Sequence, residues 1–263
     1  MSTMRIERPG DHLVELIMDR PEALNAISSA QAEIIASACA QVSKDRTVRV
    51  VMLSSALDRA FCVGADLKER NGFSDDQLRA QRPTMRACFA AVRALPVPVI
   101  AAVDGFALGG GCELALSCDL IVAGAGATFG LPEVGVGLVP GGGGTQLLTR
   151  RLGYNRAADL VLTGRRVDAT TAMQLGLADR LAVAGGARTI ALELAELIAT
   201  RSPVGIRNAK TALRDGCGLS LTDGLELEND AWHRTAFSPD RLEGIAAFVE
   251  KRAPHWPDQG TDE

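Results

Sequence analysis

The residues best suited to chemistry lie in three short segments: "FCVGADLKER" (61–70), "GFALGGGCELALSCD" (105–119) and "FGLPEVGVGLVPGGGGTQ" (129–146). In the second, Gly109, Gly110 and Gly111 lead straight into an apolar run of good helix formers interrupted by a single acid, Glu113. Glycine has no Cβ, so a ligand's polar atom can approach the main chain closely there. At a helix start the first N–H groups are unpaired, and the positive end of the helix dipole adds to them. One such N–H, joined by a second from another loop, would form an oxyanion hole for a carbonyl oxygen gaining negative charge. Single donors of that kind are worth roughly 3 kcal/mol of barrier. Glu113 and Glu133, which follows Pro132, make sense in the same frame. If the fold brings them together, burial and mutual repulsion raise at least one pKa, leaving one carboxyl that donates a proton and one carboxylate that accepts it. Such a pair could work on a water molecule.

Each signal alone has a plainer reading. A glycine-rich helix start serves tight packing, and an acid in the first turn serves the helix dipole. Gly141 to Gly144 look like a phosphate cradle, but no Gly-Lys-Ser/Thr is present and no G-x-G-x-x-G follows a strand. A serine hydrolase is set aside because there is no G-x-S-x-G, and His12, His233 and His255 lie outside the three segments.

Short runs rich in Val, Ile and Leu supply the strands that must hold these segments: "HLVELIMD" (12–19), "VRVVMLSS" (48–55), "PVPVIAAVDG" (96–105) and "CDLIVAGAGATFG" (118–130). Between the first two, Ser28 with Gln31 reads as a capping box, and Ile34, Ile35, Ala38 and Val42 follow at helical spacing. Beyond about residue 150 the strand signal fades. Helical patterns then run over 155–163, 168–175, 187–201, 204–214, 220–236 and 240–252, with Ile190, Leu194, Leu197 and Ile198 as one apolar stripe. The expected organisation is an α/β core domain over 1–185 and a helical region over 186–263 packed on that core or on neighbouring subunits.

With 263 residues, 47% of them hydrophobic, the chain suits one large domain or two small ones. The 28 Lys+Arg against 32 Asp+Glu give a net charge of -4 with no basic block, which argues against nucleic-acid binding. The N-terminal stretch carries charges every few residues, so neither a secretory leader nor a membrane span is expected, and the location expected is cytoplasmic. Six cysteines without Cys-x-x-Cys or metal-spaced histidines read as buried reduced thiols, and no metal is expected.

The segments "RPEALNAI", "FCVGADLKE", "LPVPVIAAVDGFALGGGCELALSCDL", "PEVGVGLVPGGGGTQLLTR", "VLTGRRVDATTAMQLGL" and "DRLEGIAAFVEKR" share the order and spacing of the enoyl-CoA hydratase/isomerase (crotonase) family, which the chain resembles over essentially its whole length. "GADLKER" and "DRLEGIAAFVEKR" look especially like the methylglutaconyl-CoA hydratase branch, while a general short-chain or medium-chain hydratase is equally compatible.

The resemblance implies an α/β crotonase spiral of ββα units with C-terminal helices that form a homotrimer, two trimers pairing into a hexamer. It implies main-chain oxyanion donors at Ala65 and Gly110, and hydratase carboxyls at Glu113 and Glu133. No permanently bound cofactor is implied, coenzyme A entering as part of the acyl-CoA substrate. Its pocket would be formed around Ala23 and Ala26, Ala65, Asp66, Leu67 and Lys68, and Pro132 and Gly141. Phe248 and Lys251 match positions where a neighbour's last helix reaches the nucleotide end. One departure is Leu131, where some hydratases carry Gln before Pro-Glu. The implied reaction is water addition to a trans-2-enoyl-CoA. The alternatives are a branched-chain hydratase, an enoyl-CoA isomerase or, from another class, a non-catalytic acyl-CoA-binding protein. The acyl tail is expected to meet residues in 71–95 and in the C-terminal helices.

Overall fold

The computed structural model of the chain describes residues 3–256. It opens with an antiparallel hairpin, β1 (Met4–Gly10) and β2 (Leu13–Met18), followed by α1 (Ser29–Ser43). Three turns of strand, strand and helix come next. The first is β3 (Val50–Ser55), β4 (Ala60–Cys62), then α2 (Leu67–Asn71) and α3 (Asp75–Arg93). The second is β5 (Val99–Val103), β6 (Phe106–Leu108) and α4 (Gly110–Leu116). The third is β7 (Leu120–Gly124), β8 (Thr128–Gly130) and α5 (Gly144–Leu152). The chain continues through α6 (Tyr154–Thr163), β9 (Arg166–Asp168), α7 (Ala169–Leu175), β10 (Arg180–Ala182), α8 (Ala187–Ala199), α9 (Pro203–Gly216), α10 (Leu221–Ala236) and α11 (Pro239–Glu250).

In each turn the first strand joins one sheet, ordered β1-β2-β3-β5-β7-β10, and the second joins another, ordered β4-β6-β8-β9. This is the expected spiral of ββα units. Strands β2 to β7 of the larger sheet are parallel and buried on both faces, which is why they read as nearly unbroken apolar runs. Alternate residues serve two cores: Val51, Leu53, Ala101 and Val103 face the main one, while Val50, Met52, Ile100 and Ala102 face α8. Phe61 and Phe129, on the smaller sheet, are fully buried, each worth about 2–3 kcal/mol against exposure.

Several expectations are corrected here. The 118–130 run is two strands in different sheets, β7 and β8, because the chain turns at Ala125–Ala127. Two three-residue strands, β9 and β10, lie beyond residue 150, too short to leave a periodic signal. Only half of the capping box forms: Ser28 Oγ accepts from Gln31 N at 3.2 Å, but the Gln31 amide turns to the Thr3 carbonyl at 3.4 Å. On α8 the seam against the sheet is Ala187, Ala191 and Ala195. Ile190, Leu194 and Ile198 flank it, and Leu197 is exposed. Alanine lets the helix backbone approach the sheet, which larger side chains would hold off. Five cysteines are buried as expected, but Cys217 is exposed.

The helical region is tied to the core by specific polar contacts. Glu15, fully buried on β2, takes a two-pronged bond from Arg188 of α8 and another from Ser54 Oγ. Lys210 of α9 is buried and donates to Asp119 Oδ2 at 2.7 Å and to the Val97 carbonyl at 2.8 Å. Among the described residues, no helix is long and apolar enough to cross a membrane.

Candidate active site

Strands β4, β6 and β8 lie side by side and parallel in the smaller sheet, so their C-terminal ends share one edge. The chain leaving β4 carries Ala65, the chain leaving β6 starts α4 with Gly110 and Glu113, and the chain leaving β8 carries Glu133. Carboxyl ends of parallel strands are where such sheets open a crevice for ligands. Three segments far apart in sequence meet there because the spiral stacks corresponding parts of successive turns.

Local geometry requires the glycines. Gly109 takes φ +52°, a left-handed value that admits the sharp turn from β6 into α4. A Cβ on Gly111 would lie 1.9 Å from the Cys62 carbonyl oxygen, so only glycine lets α4 sit against β4. The N–H groups of Ala65 and Gly110 are neighbours across that contact, and neither has an acceptor among the described residues. Two free donors at the rim of a pocket can hold an oxygen atom that becomes negative.

That pocket has a volume of about 560 Å³ and is bordered by Ala65, Gly110, Glu113, Pro132, Glu133 and Gly141, with apolar side chains beyond them. Glu113 is buried in the first turn of α4, and its Oε1 accepts from Gly142 N at 2.6 Å and Gly144 N at 2.8 Å. The glycine run that resembled a phosphate cradle therefore holds an anion of the chain's own. Arg82 and Arg93 of α3 fix that run by donating to the carbonyls of Gly141 and Gly142. Burial pushes the Glu113 carboxyl above its usual range, against the pull of the Gly144 and Gly142 N–H groups. Leu131, buried, abuts the same face of Gly144 as Glu113 Oε1.

Glu133 begins a 3-10 turn, half-buried, and its Oε2 is buried with no hydrogen-bond partner. Burial pushes its pKa up to about 7; its own peptide N–H pulls the other way, and the charge of Glu113 adds to the rise. A carboxyl with that value exchanges a proton near neutrality, the condition for acid–base work. Cys62 and Cys112 lie close by, but burial lifts both thiols to about 12, which removes them as nucleophiles.

A second groove of about 730 Å³ shares Val63, Ala65 and Leu67 with the first and runs along Ala23, Ala26, Asp66 and Lys68. Its two walls are locked by Arg20, which bonds the Ala26 carbonyl at 2.8 Å and Asp66 Oδ2 at 2.9 Å. Asp66 in turn caps α2 by accepting from Lys68 N and Glu69 N. Asn25, between the two alanines, is fully buried, accepts from Arg20 N and donates to Ser55 Oγ and the Phe61 carbonyl. The sequence singled out its neighbours and missed Asn25; a polar residue flanked by apolar ones was its only signal.

Within one chain, eleven of the expected site residues border these two cavities: Ala23, Ala26, Ala65, Asp66, Leu67, Lys68, Gly110, Glu113, Pro132, Glu133 and Gly141. Phe248 and Lys251, at the end of α11, border neither, and Phe248 is 84% exposed. Residues of 71–95 do line the first cavity, namely Leu78, Gln81, Arg82, Met85 and Phe89, whereas no residue of α8 to α11 does so within the chain.

A model of the enoyl-CoA hydratase/isomerase family matches residues 10–259. The chain is 40% identical to a probable mitochondrial enoyl-CoA hydratase 2 of Arabidopsis thaliana, covering 95% of this chain and 83% of that one. It is 37% identical to the mitochondrial methylglutaconyl-CoA hydratase of Homo sapiens, covering 95% and 75%. Its fold superimposes on the crystal structure of an enoyl-CoA hydratase from Bacillus anthracis with a TM-score of 0.95, at 38% identity and with 98% and 100% of the two chains covered.

Proposed function

The chain belongs to the enoyl-CoA hydratase/isomerase family, and from that premise we propose that it adds water reversibly to the 2,3-double bond of a trans-2-enoyl-CoA thioester. The observation that carries this reading is the pair of free N–H groups of Ala65 and Gly110 opening onto the cavity that Glu113 and Glu133 share. The thioester oxygen accepts from both donors and becomes enolate-like as water attacks C3. Glu113, positioned by the N–H groups of Gly142 and Gly144 on its Oε1, takes the proton of that water in its carboxylate form. Glu133, which burial lifts to a pKa of about 7 so that a substantial share carries its proton near neutrality, delivers that proton to C2. No covalent intermediate with the enzyme forms. Two acids poised as donor and acceptor suit hydration; shifting a double bond along the chain needs only one to shuttle a proton.

Coenzyme A enters as part of the substrate, its pantetheine and nucleotide along the groove past Ala65, Leu67, Lys68, Ala23 and Ala26. We also propose a homotrimer, paired into a hexamer, in which α10 and α11 contact neighbours. Leu221, Phe237, Phe248 and Val249 are each at least 72% exposed in the single chain, an apolar surface that association would cover. Phe248 and Lys251 would then serve a neighbour's nucleotide groove. The test is loss of the conjugated-thioester absorbance of crotonyl-CoA with purified protein. A Glu133→Gln variant as fast as the wild type would remove that residue from the mechanism.

A further inference from the structure

We propose that Arg93, which borders neither of the two cavities, is a positioning residue for Glu113 and fixes where its carboxylate stands against the attacking water. The proposal rests on the hydratase reading above and adds to it a side chain that the substrate never touches.

Glu113 is held at two ends. Its carboxylate lies in the glycine run, where Gly142 N donates to Oε1 at 2.6 Å. Its main-chain carbonyl, on α4, accepts from Ser117 N at 2.9 Å and from Ser117 Oγ at 2.8 Å. A single nitrogen joins the two ends: Arg93 Nη1 donates to the Gly142 carbonyl at 3.3 Å and to Ser117 Oγ at 3.2 Å. An Nη carries two hydrogens, so each bond has its own. One half-buried guanidinium thus sets the distance from α4 to the glycine run, and with it the place of the carboxylate held between them. Phe89, buried one turn earlier on α3, braces the same run: a Cβ on Gly142 would lie 2.5 Å from its ring.

The bridge is electrical as well as mechanical. The carbonyl of Gly142 and the N–H of Gly143 belong to one peptide unit, and that N–H is among the groups that pull the Glu113 carboxyl down against burial. A cation on the oxygen end of a peptide strengthens the donor at its other end. Burial lowers the pKa of Arg93, and the charge of Glu113 pulls it back up. The other titratable groups that interact with Glu113 are Arg82 of α3, Arg70 of α2, Glu133 beyond β8 and the neutral Cys112 thiol beside it on α4. Of the three arginines, Arg93 alone bonds, among the described residues, to both elements that hold Glu113.

The experiment measures kcat and KM for crotonyl-CoA across pH 5 to 9 with the wild type, Arg93→Met and Arg93→Lys. Arg93→Met should lower kcat about tenfold and leave KM within about twofold, the mark of a misplaced reacting group beside an intact binding site. The acidic limb of its profile, where the glutamate pair gains a second proton, should move up by about one pH unit, because a cation favouring the carboxylate is gone. Arg93→Lys should bring back the limb and part of kcat. An unchanged kcat, an unmoved limb or a loss that falls on KM would overturn the proposal and leave the hydratase reading intact. Should Arg93→Met not fold, Ser117→Ala decides by removing the α4 end of the bridge alone: a kcat about threefold lower at unchanged KM supports the proposal, and a wild-type rate overturns it. A wild type that turns over no crotonyl-CoA would overturn the hydratase reading instead. The infrared band of the protonated Glu113 carboxyl, identified by its absence in Glu113→Gln, then decides on Arg93: a band that appears at higher pH in Arg93→Met supports its role, and the same pH in both proteins overturns it.

Discussion

The peptide nitrogen of Ala65 lies 3.5 Å from the point where a Cβ on Gly110 would stand. Gly64 Cα is equally near at 3.5 Å, an ordinary van der Waals distance, so a methyl group there would stand beside the free Ala65 donor without colliding with the backbone of that loop.

Gly110→Ala should therefore fold and lose activity. Alanine favours a helix over glycine by roughly 1 kcal/mol, so the melting temperature should be unchanged or slightly higher, while kcat on crotonyl-CoA falls about 10²- to 10³-fold, as when an oxyanion donor is lost. Gly111→Ala, one residue on, should instead fail to fold, because its Cβ would lie 1.9 Å from the Cys62 carbonyl oxygen. Circular-dichroism melts beside the crotonyl-CoA assay separate the two outcomes.

The pH dependence of kcat/KM should be bell-shaped and identical in the hydration and dehydration directions. Each direction uses the singly protonated pair, with the proton on Glu133 for hydration and on Glu113 for dehydration, and the equilibrium between them exchanges no proton with solvent. Loss of that proton sets the alkaline limb, expected near the value of about 7 to which burial lifts Glu133. Initial rates from crotonyl-CoA and from 3-hydroxybutyryl-CoA between pH 5 and 9 check this; a flat profile through pH 7 would contradict it.

Stability should show the same group with a definite sign. A carboxyl whose pKa is raised on folding contributes stability that is complete below its usual value and is lost as pH rises through about 7. Wild type should thus melt lower at pH 8 than at pH 5 by more than Glu133→Gln does, and the variant should be the more stable of the two at pH 8. Equal pH dependence in both proteins would show that Glu133 is not desolvated in the fold.

Lys210→Ala should destabilise the chain by roughly 2–3 kcal/mol in urea unfolding, because it leaves Asp119 and the Val97 carbonyl without their partner. Asp119 also accepts from Val99 N at 2.7 Å, so the damage should extend to the start of β5. An Asp119→Asn change should cost less, since the amide oxygen still accepts.

Much of this was legible in the chain itself. Strands β2, β3 and β5 announce themselves because burial on both faces demands unbroken apolar runs, and α8 to α11 because amphipathic helices of twelve residues or more repeat their pattern several times. The same logic explains the failures. Strands of three residues such as β9 and β10 contain no full period, and α3 was passed over because an amphipathic helix with Pro83 inside it and many charges matches no motif. The alanine seam of α8 was missed because hydrophobicity ranks Leu197 above Ala195, while close packing against a sheet ranks them the other way.

By itself the sequence determined which backbone positions must be free of side chains and which acids stand alone in apolar surroundings, since both are properties of residue type and local order. It could not determine that the Gly141–Gly144 run grips Glu113 instead of a phosphate, that Glu133 Oε2 is left without a partner, or that Arg70 and Arg82 share a wall. Those facts depend on distances that the order of residues along the chain does not fix. They are set only when successive ββα turns stack and bring the ends of β4, β6 and β8 to one edge.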